Sequence, residues 1–149
     1  MTYAQGTTVT VSNSQLEISR TLTRYGVESY SFGATPGWAL VEFEHQHMPI
    51  RLRIPLPAKP PKETGLSAKT GRQVNLWKAW EQDVKEAWRA LLLFIKAALE
   101  SVDRGIVSVE QAFMAFLVTG DGQTLGDKAL PGYRQHIAER RLAIEAGEA

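Results

Sequence analysis

The spacing of apolar and polar positions divides the chain into segments of distinct period. Residues 7–11 carry β-branched side chains, with Val9 and Val11 on one face, and predict a short strand. Ser14 followed by Glu17 is a capping-box pattern, and Leu16, Ile18, Leu22 and Tyr25 continue at helical spacing until Gly26 stops the helix. Tyr30 and Phe32 lead into a turn-forming stretch at 34–37. Ala39, Val41 and Phe43 then alternate with Leu40, Glu42 and Glu44. After a turn over 46–49, Ile50, Leu52 and Ile54 alternate with Arg51 and Arg53. Three strands with short links predict an antiparallel meander, and the two arginines project from the same side of its last strand.

Pro55, Pro57, Pro60 and Pro61 interrupt any regular pattern, and residues 57–72 read as a flexible basic loop between sheet and helix. Loops of that length in a compact domain are functional or disordered. Residues 75–104 form the strongest element. Trp77, Trp80, Val84, Leu91, Ile95, Leu99 and Val102 recur at three- and four-residue steps, with Trp88 beside the stripe, and Gly105 follows. At about 1.5 Å per residue such a helix runs roughly 45 Å, which exceeds a small core and leaves part of it to protrude or to meet a neighbour. Ser108 with Gln111 opens a second capping box before Phe113 and Phe116. Residues 117–119 and 123–125 flank Gly120 and Gly122 as a small hairpin, and residues 132–148 form a tail helix carrying Tyr133, Ile137 and Ile144. The expected architecture is a single α+β domain over 1–149, in the order strand, helix, meander, long helix, and a small helical and hairpin region.

Composition then removes whole chemistries. The 149 residues contain no cysteine, which excludes a disulfide scaffold, a thiolate-bound zinc, an iron–sulfur cluster and a thiol nucleophile. Residues 1–6 lack the basic and apolar regions of a leader peptide, and the apolar run at 90–95 is broken by Lys96, too short for a bilayer. The expectation is a soluble, cytoplasmic protein without membrane association.

Net charge is +1, yet it is unevenly distributed. Arg51, Arg53, Lys59, Lys62, Lys69 and Arg72 stand against Glu63 alone within residues 51–73, a net of +5. Residues 1–50 have two cations against four anions, residues 74–105 five of each, and residues 106–149 four against six. One short stretch therefore holds the excess, and that pattern speaks to partners where the total does not.

Candidate chemistry is sparse. His45 and His47, two apart, could share a strand face, with Glu44 and His136 as imaginable further ligands or bases, but two histidines at that spacing are ordinary surface residues. Asp103, Asp121 and Asp127 have no recognisable base beside them, and the glycines at 120, 122 and 126 lack the lysine of a phosphate loop. No catalytic residue, metal ligand or cofactor is assigned. Helical spacing places Trp77, Trp80 and Trp88 in a core rather than under bases. Trp38, at a strand start after Pro36 and Gly37, is the better stacking residue. The six cations suit a phosphate backbone, and equally a solvated edge strand with a soluble linker.

The segments Tyr3-Ala-Gln-Gly-Thr-Thr-Val-Thr-Val, Arg24-Tyr-Gly, Arg51-Leu-Arg-Ile-Pro-Leu-Pro, Lys78-Ala-Trp-Glu-Gln and Trp88-Arg-Ala-Leu resemble a family of small uncharacterised proteins of phages, prophages and plasmids, over about residues 3–126. That resemblance implies a mobile genetic element and no particular activity. In topology, a meander followed by a long helix with basic residues between them is similar to the core of phage single-strand annealing proteins of the Redβ type. There DNA lies between sheet and helix, and subunits form rings or filaments. The expected function is a non-enzymatic, homo-oligomeric nucleic-acid-binding protein. It would bind single-stranded DNA or a guide–target duplex through Arg51, Arg53, Lys59, Lys62, Lys69 and Arg72, with Trp38 stacking on a base. The alternative is a protein-interaction module, an inhibitor or accessory subunit, using the tryptophan-bearing helix.

Overall fold

The structure is a computed structural model and describes residues 10–147. The strand expected over residues 7–11 lies outside the described residues except for Thr10 and Val11, and these begin a helix. Helix α1 spans Val11–Arg24; the Thr10 side chain caps it by accepting from the Asn13 N–H at 3.2 Å. Ser14 is therefore not the cap. It lies one turn inside α1, fully buried. Thr10 is followed by β-branched Val11, so the cap residue carries the same local signal as a strand.

The meander is as the alternation predicts. Strands β1 (Ser29–Thr35), β2 (Trp38–His45) and β3 (Met48–Pro55) pair antiparallel in the order β1-β2-β3. Pro36 and Gly37 turn β1 into β2, and Gly37 takes φ 90°, open to glycine at little cost. The β2–β3 turn is different. Gln46 and His47 hold φ 51° and 65° without any glycine, the backbone signs of a type I′ turn built from residues that resist it.

One sheet face is the core. Ala39, Val41, Phe43, Ile50 and Leu52 are buried there against a long helix, α2 (Leu76–Asp103), whose Trp88, Leu92, Ile95 and Leu99 are also buried. Each of the larger aliphatic and Phe side chains among them contributes roughly 1.5–3 kcal/mol on leaving water. Aromatic edges add direction: Phe32 meets Trp88 at 6.2 Å and 73°, and Phe43 meets Phe113 at 5.6 Å and 85°. Glu17 of α1 pairs with Arg89 of α2 at 2.9 Å, and the Tyr25 hydroxyl donates to Glu100 at 2.5 Å, so the two helices are tied at their middles and again near their C-terminal ends.

The first half of α2 departs from the expectation. Every fully buried residue of α2 lies at or after Trp88; Trp77, Trp80 and Val84 are only half-buried. The reason is what covers them. Residues 57–60 lie along this half, and the loop expected to be irregular throughout carries a two-stranded hairpin, β4 (Thr64–Leu66) with β5 (Gln73–Asn75). Asn75 also caps α2, its side chain accepting from the Lys78 N–H at 2.9 Å.

Beyond α2, Ser108 and Gln111 form the expected capping box of α3 (Val109–Phe113), which runs into a 3₁₀ turn, Met114–Phe116. The small hairpin is reduced to one bridge, Val118 with Thr124, and Leu117 bridges to Ile50 at the edge of β3. Helix α4 (Leu125–Glu145) starts well before the expected residue 132, because Thr124 and Asp127 make a reciprocal capping box and Pro131 is accommodated inside the helix. Gly126 is the buried residue of α4, and beyond it the helix is largely exposed. Among the described residues, no helix is long and apolar enough to cross a membrane.

Candidate nucleic-acid interface

The period of β3 puts Arg51 and Arg53 on the sheet face opposite the core, as expected. The register sets Arg51 beside Glu42, Arg53 beside Leu40, and Trp38 beside Pro55. These neighbours give the two arginines different work. Arg51 donates from Nε to Glu42 at 2.7 Å and from Nη1 to the Gly122 carbonyl at 2.6 Å. It therefore clamps the turn at 120–122 onto the sheet. Arg53 is exposed, and its guanidinium lies 5.4 Å from the centre of the Trp38 ring. Trp38 itself is 46% exposed.

Between this face and the start of α4 lies a groove of about 230 Å³, lined by Trp38, Arg51, Arg53, Phe116, Gly126 and Asp127 among others. It already contains an anion. The backbone N–H of Thr124 and then its hydrogen-bonded side chain hold the Asp127 carboxyl below its usual range, helped by Arg53 and Arg51. The α4 capping box occupies donors that a phosphate would otherwise use. The Asp121 carboxyl is held still lower, first by Lys128 at 2.7 Å, then by the Thr119 hydroxyl and the Gln123 N–H. Both aspartates are thereby structural acceptors.

A second cation–aromatic cluster sits where β3 leaves the sheet. Leu56 donates to the Gly37 carbonyl at 2.8 Å, continuing the ladder one step past Pro55. Trp80 Nε1 then donates to the Pro57 carbonyl at 2.8 Å, and Trp77 Nε1 to the Pro60 carbonyl at 2.9 Å. This proline-rich segment joins no ladder, so its carbonyls remain open to side-chain donors. Lys59 lies between these anchors, its ammonium 4.6 Å from the Trp77 ring centre and 5.4 Å from that of Trp80. Periodicity alone assigned both tryptophans to the core. The opposing signal was in the sequence too, as a proline run without donors facing a helix start with two indoles.

Lys62 is exposed just before β4, and Lys69 and Arg72 are exposed on the loop from β4 to β5. The tip of that loop is closed by Ser67 N–H to Arg72 O and Gly71 N–H to Ser67 O, both at 2.8 Å. The structure thus joins Trp38 to Arg53, joins Lys59 to Trp77 and Trp80, and links the two groups through residues 55–60. Arg51 is bonded elsewhere. The cleft between β3 and α2 is mainly apolar, lined by Leu52, Ile54, Ala90, Leu91 and Phe94, with Arg53 as its one charge.

His45 ends β2 and His47 lies in the turn, so they do not share a strand face; burial pushes the His45 imidazole below its ordinary value. Among the described residues no group of three or more His, Asp or Glu side chains could hold a metal ion. The class defined by fold and site is a small α+β protein with an exposed cation–aromatic seam. Comparison with family models, with curated proteins and with solved structures finds no match.

Proposed function

We propose that the chain is a non-enzymatic nucleic-acid-binding protein, of the kind that mobile genetic elements carry, and that it prefers single strands. The observation that supports this reading most is the seating of cations on partly exposed indoles, Arg53 over Trp38 and Lys59 over Trp77 and Trp80. Single strands expose both base faces and phosphates, which such pairs serve at once. Arg53 and Lys59 now rest on ring faces; they would swing to phosphates as bases take their places. Lys62, Lys69 and Arg72 extend the positive surface, while Arg51 positions the turn at 120–122 rather than touching phosphate.

Titration of intrinsic tryptophan fluorescence with a short single strand tests this. Quenching is expected, and Trp38→Ala should weaken binding by about 5- to 150-fold, equivalent to the ~1–3 kcal/mol of one stacked base. Binding unaltered by that substitution would remove Trp38 from the site. A second reading, a protein-interaction module, is favoured by the exposed Tyr133, Leu142 and Ile144 of α4, at 61%, 66% and 54%. In that case Tyr133→Ala with Leu142→Ala abolishes partner capture, and loss of the basic residues leaves it intact.

A further inference from the structure

The two edges of the sheet are built differently. Val118 donates to the Pro49 carbonyl and Leu56 to the Gly37 carbonyl. In an antiparallel ladder these bonds fix which residues point their backbone groups outward. On β3 they are Pro49, Arg51, Arg53 and Pro55: two lack an N–H, two carry charge, and Pro49 is already bonded. This is a guarded edge. On β1 the outward residues are Tyr30, Phe32 and Ala34. Ser29–Thr35 contains no charge and no proline, Tyr30 is 42% exposed, and among the described residues no hydrogen bond reaches the outward backbone groups of these three.

We propose that the β1 edge pairs with β1 of a second copy, antiparallel about Phe32, to make one six-stranded sheet. Charge argues for a second copy at this edge. Self-pairing of β1 sets Tyr30 against Ala34, Ser31 against Gly33 and Phe32 against Phe32, with no like charges opposed. The same operation at β3 would oppose arginines. Each outward pair exchanges two N–H···O bonds, and the interface is isologous and closes at two subunits. It is independent of nucleic-acid binding and is tested without oligonucleotide.

Light scattering at increasing protein concentration should give about 33 kDa, twice the 16.5 kDa of one chain. Ala34→Pro removes an N–H that the monomer leaves unbonded, and Ser31→Lys sets two added cations about 7–8 Å apart across the joint. Both variants should keep the circular dichroism of the fold and fall to the monomer mass. In the wild type the amides of Tyr30, Phe32 and Ala34 should resist hydrogen exchange, and in the variants those of Tyr30 and Phe32 should not. A monomeric wild type at all concentrations overturns the proposal, as does a dimer that both variants retain.

Discussion

Replacing Gly126 by alanine probes how α4 is seated on the domain. A Cβ at this position would lie 2.7 Å from the Ala115 carbonyl oxygen and 3.2 Å from the Ala115 Cβ. The first contact is with backbone, which cannot rotate aside, so α4 and the Met114–Phe116 turn must part by several tenths of an ångström. Overpacking of this kind costs about 1–3 kcal/mol, against a gain of about 0.5–1 kcal/mol in helix propensity. The net expectation is a loss of about 1–2 kcal/mol, and each kcal/mol is worth about 2–4 °C in Tm for a chain near this length. Gly132 is the matched control. It lies in the same helix with no atom within 4 Å of the added methyl, so Gly132→Ala should retain the propensity gain and stiffen α4. Thermal unfolding by far-UV circular dichroism, with amide exchange along α4, reads both. Equal shifts of the same sign in the two variants would refute the packing argument.

Two further outcomes follow from the β2–β3 turn. Gln46→Asn with His47→Gly should raise Tm, because each positive-φ residue without a glycine costs of order 1 kcal/mol; an unchanged or lower Tm would show that the turn is not strained. Burial lowers the His45 imidazole below its unfolded value of 6.5. The unfolded chain therefore binds more protons in that window. Stability is full above about pH 6.5 and falls as pH drops from there toward the folded value. His45→Gln should narrow the Tm difference between about pH 7.5 and about pH 5.5, and an equal difference in both proteins would contradict the assignment.

The meander and α2 were legible because each keeps one period over many residues, and the Ser108–Gln111 box because its partners lie three residues apart. Boundaries failed where two signals compete. The last helix is expected from residue 132, whereas the Thr124–Asp127 capping box starts it at Leu125 despite Gly126, Pro131 and Gly132. Thr10 and Val11 are β-branched yet begin α1, since a capping threonine needs extended backbone anyway. The hairpin of β4 and β5 has strands of three residues, too short to show alternation. In the site, the pairing of Trp38 with Arg53 follows from register. The bond from Arg51 to Gly122 does not, because it spans 71 residues and depends on where α4 docks.

The central claim, phosphate contact by the exposed seam, is tested most directly by the salt dependence of single-strand binding. If Arg53, Lys59, Lys62, Lys69 and Arg72 each neutralise one phosphate, log K should fall against log salt with a slope of about −3.5, at about −0.7 per contact. Lys62→Ala with Lys69→Ala and Arg72→Ala should reduce it to about −1.4, and Arg51→Ala should leave it unchanged. Absence of binding at low salt, or one slope shared by wild type and the triple variant, would contradict the account.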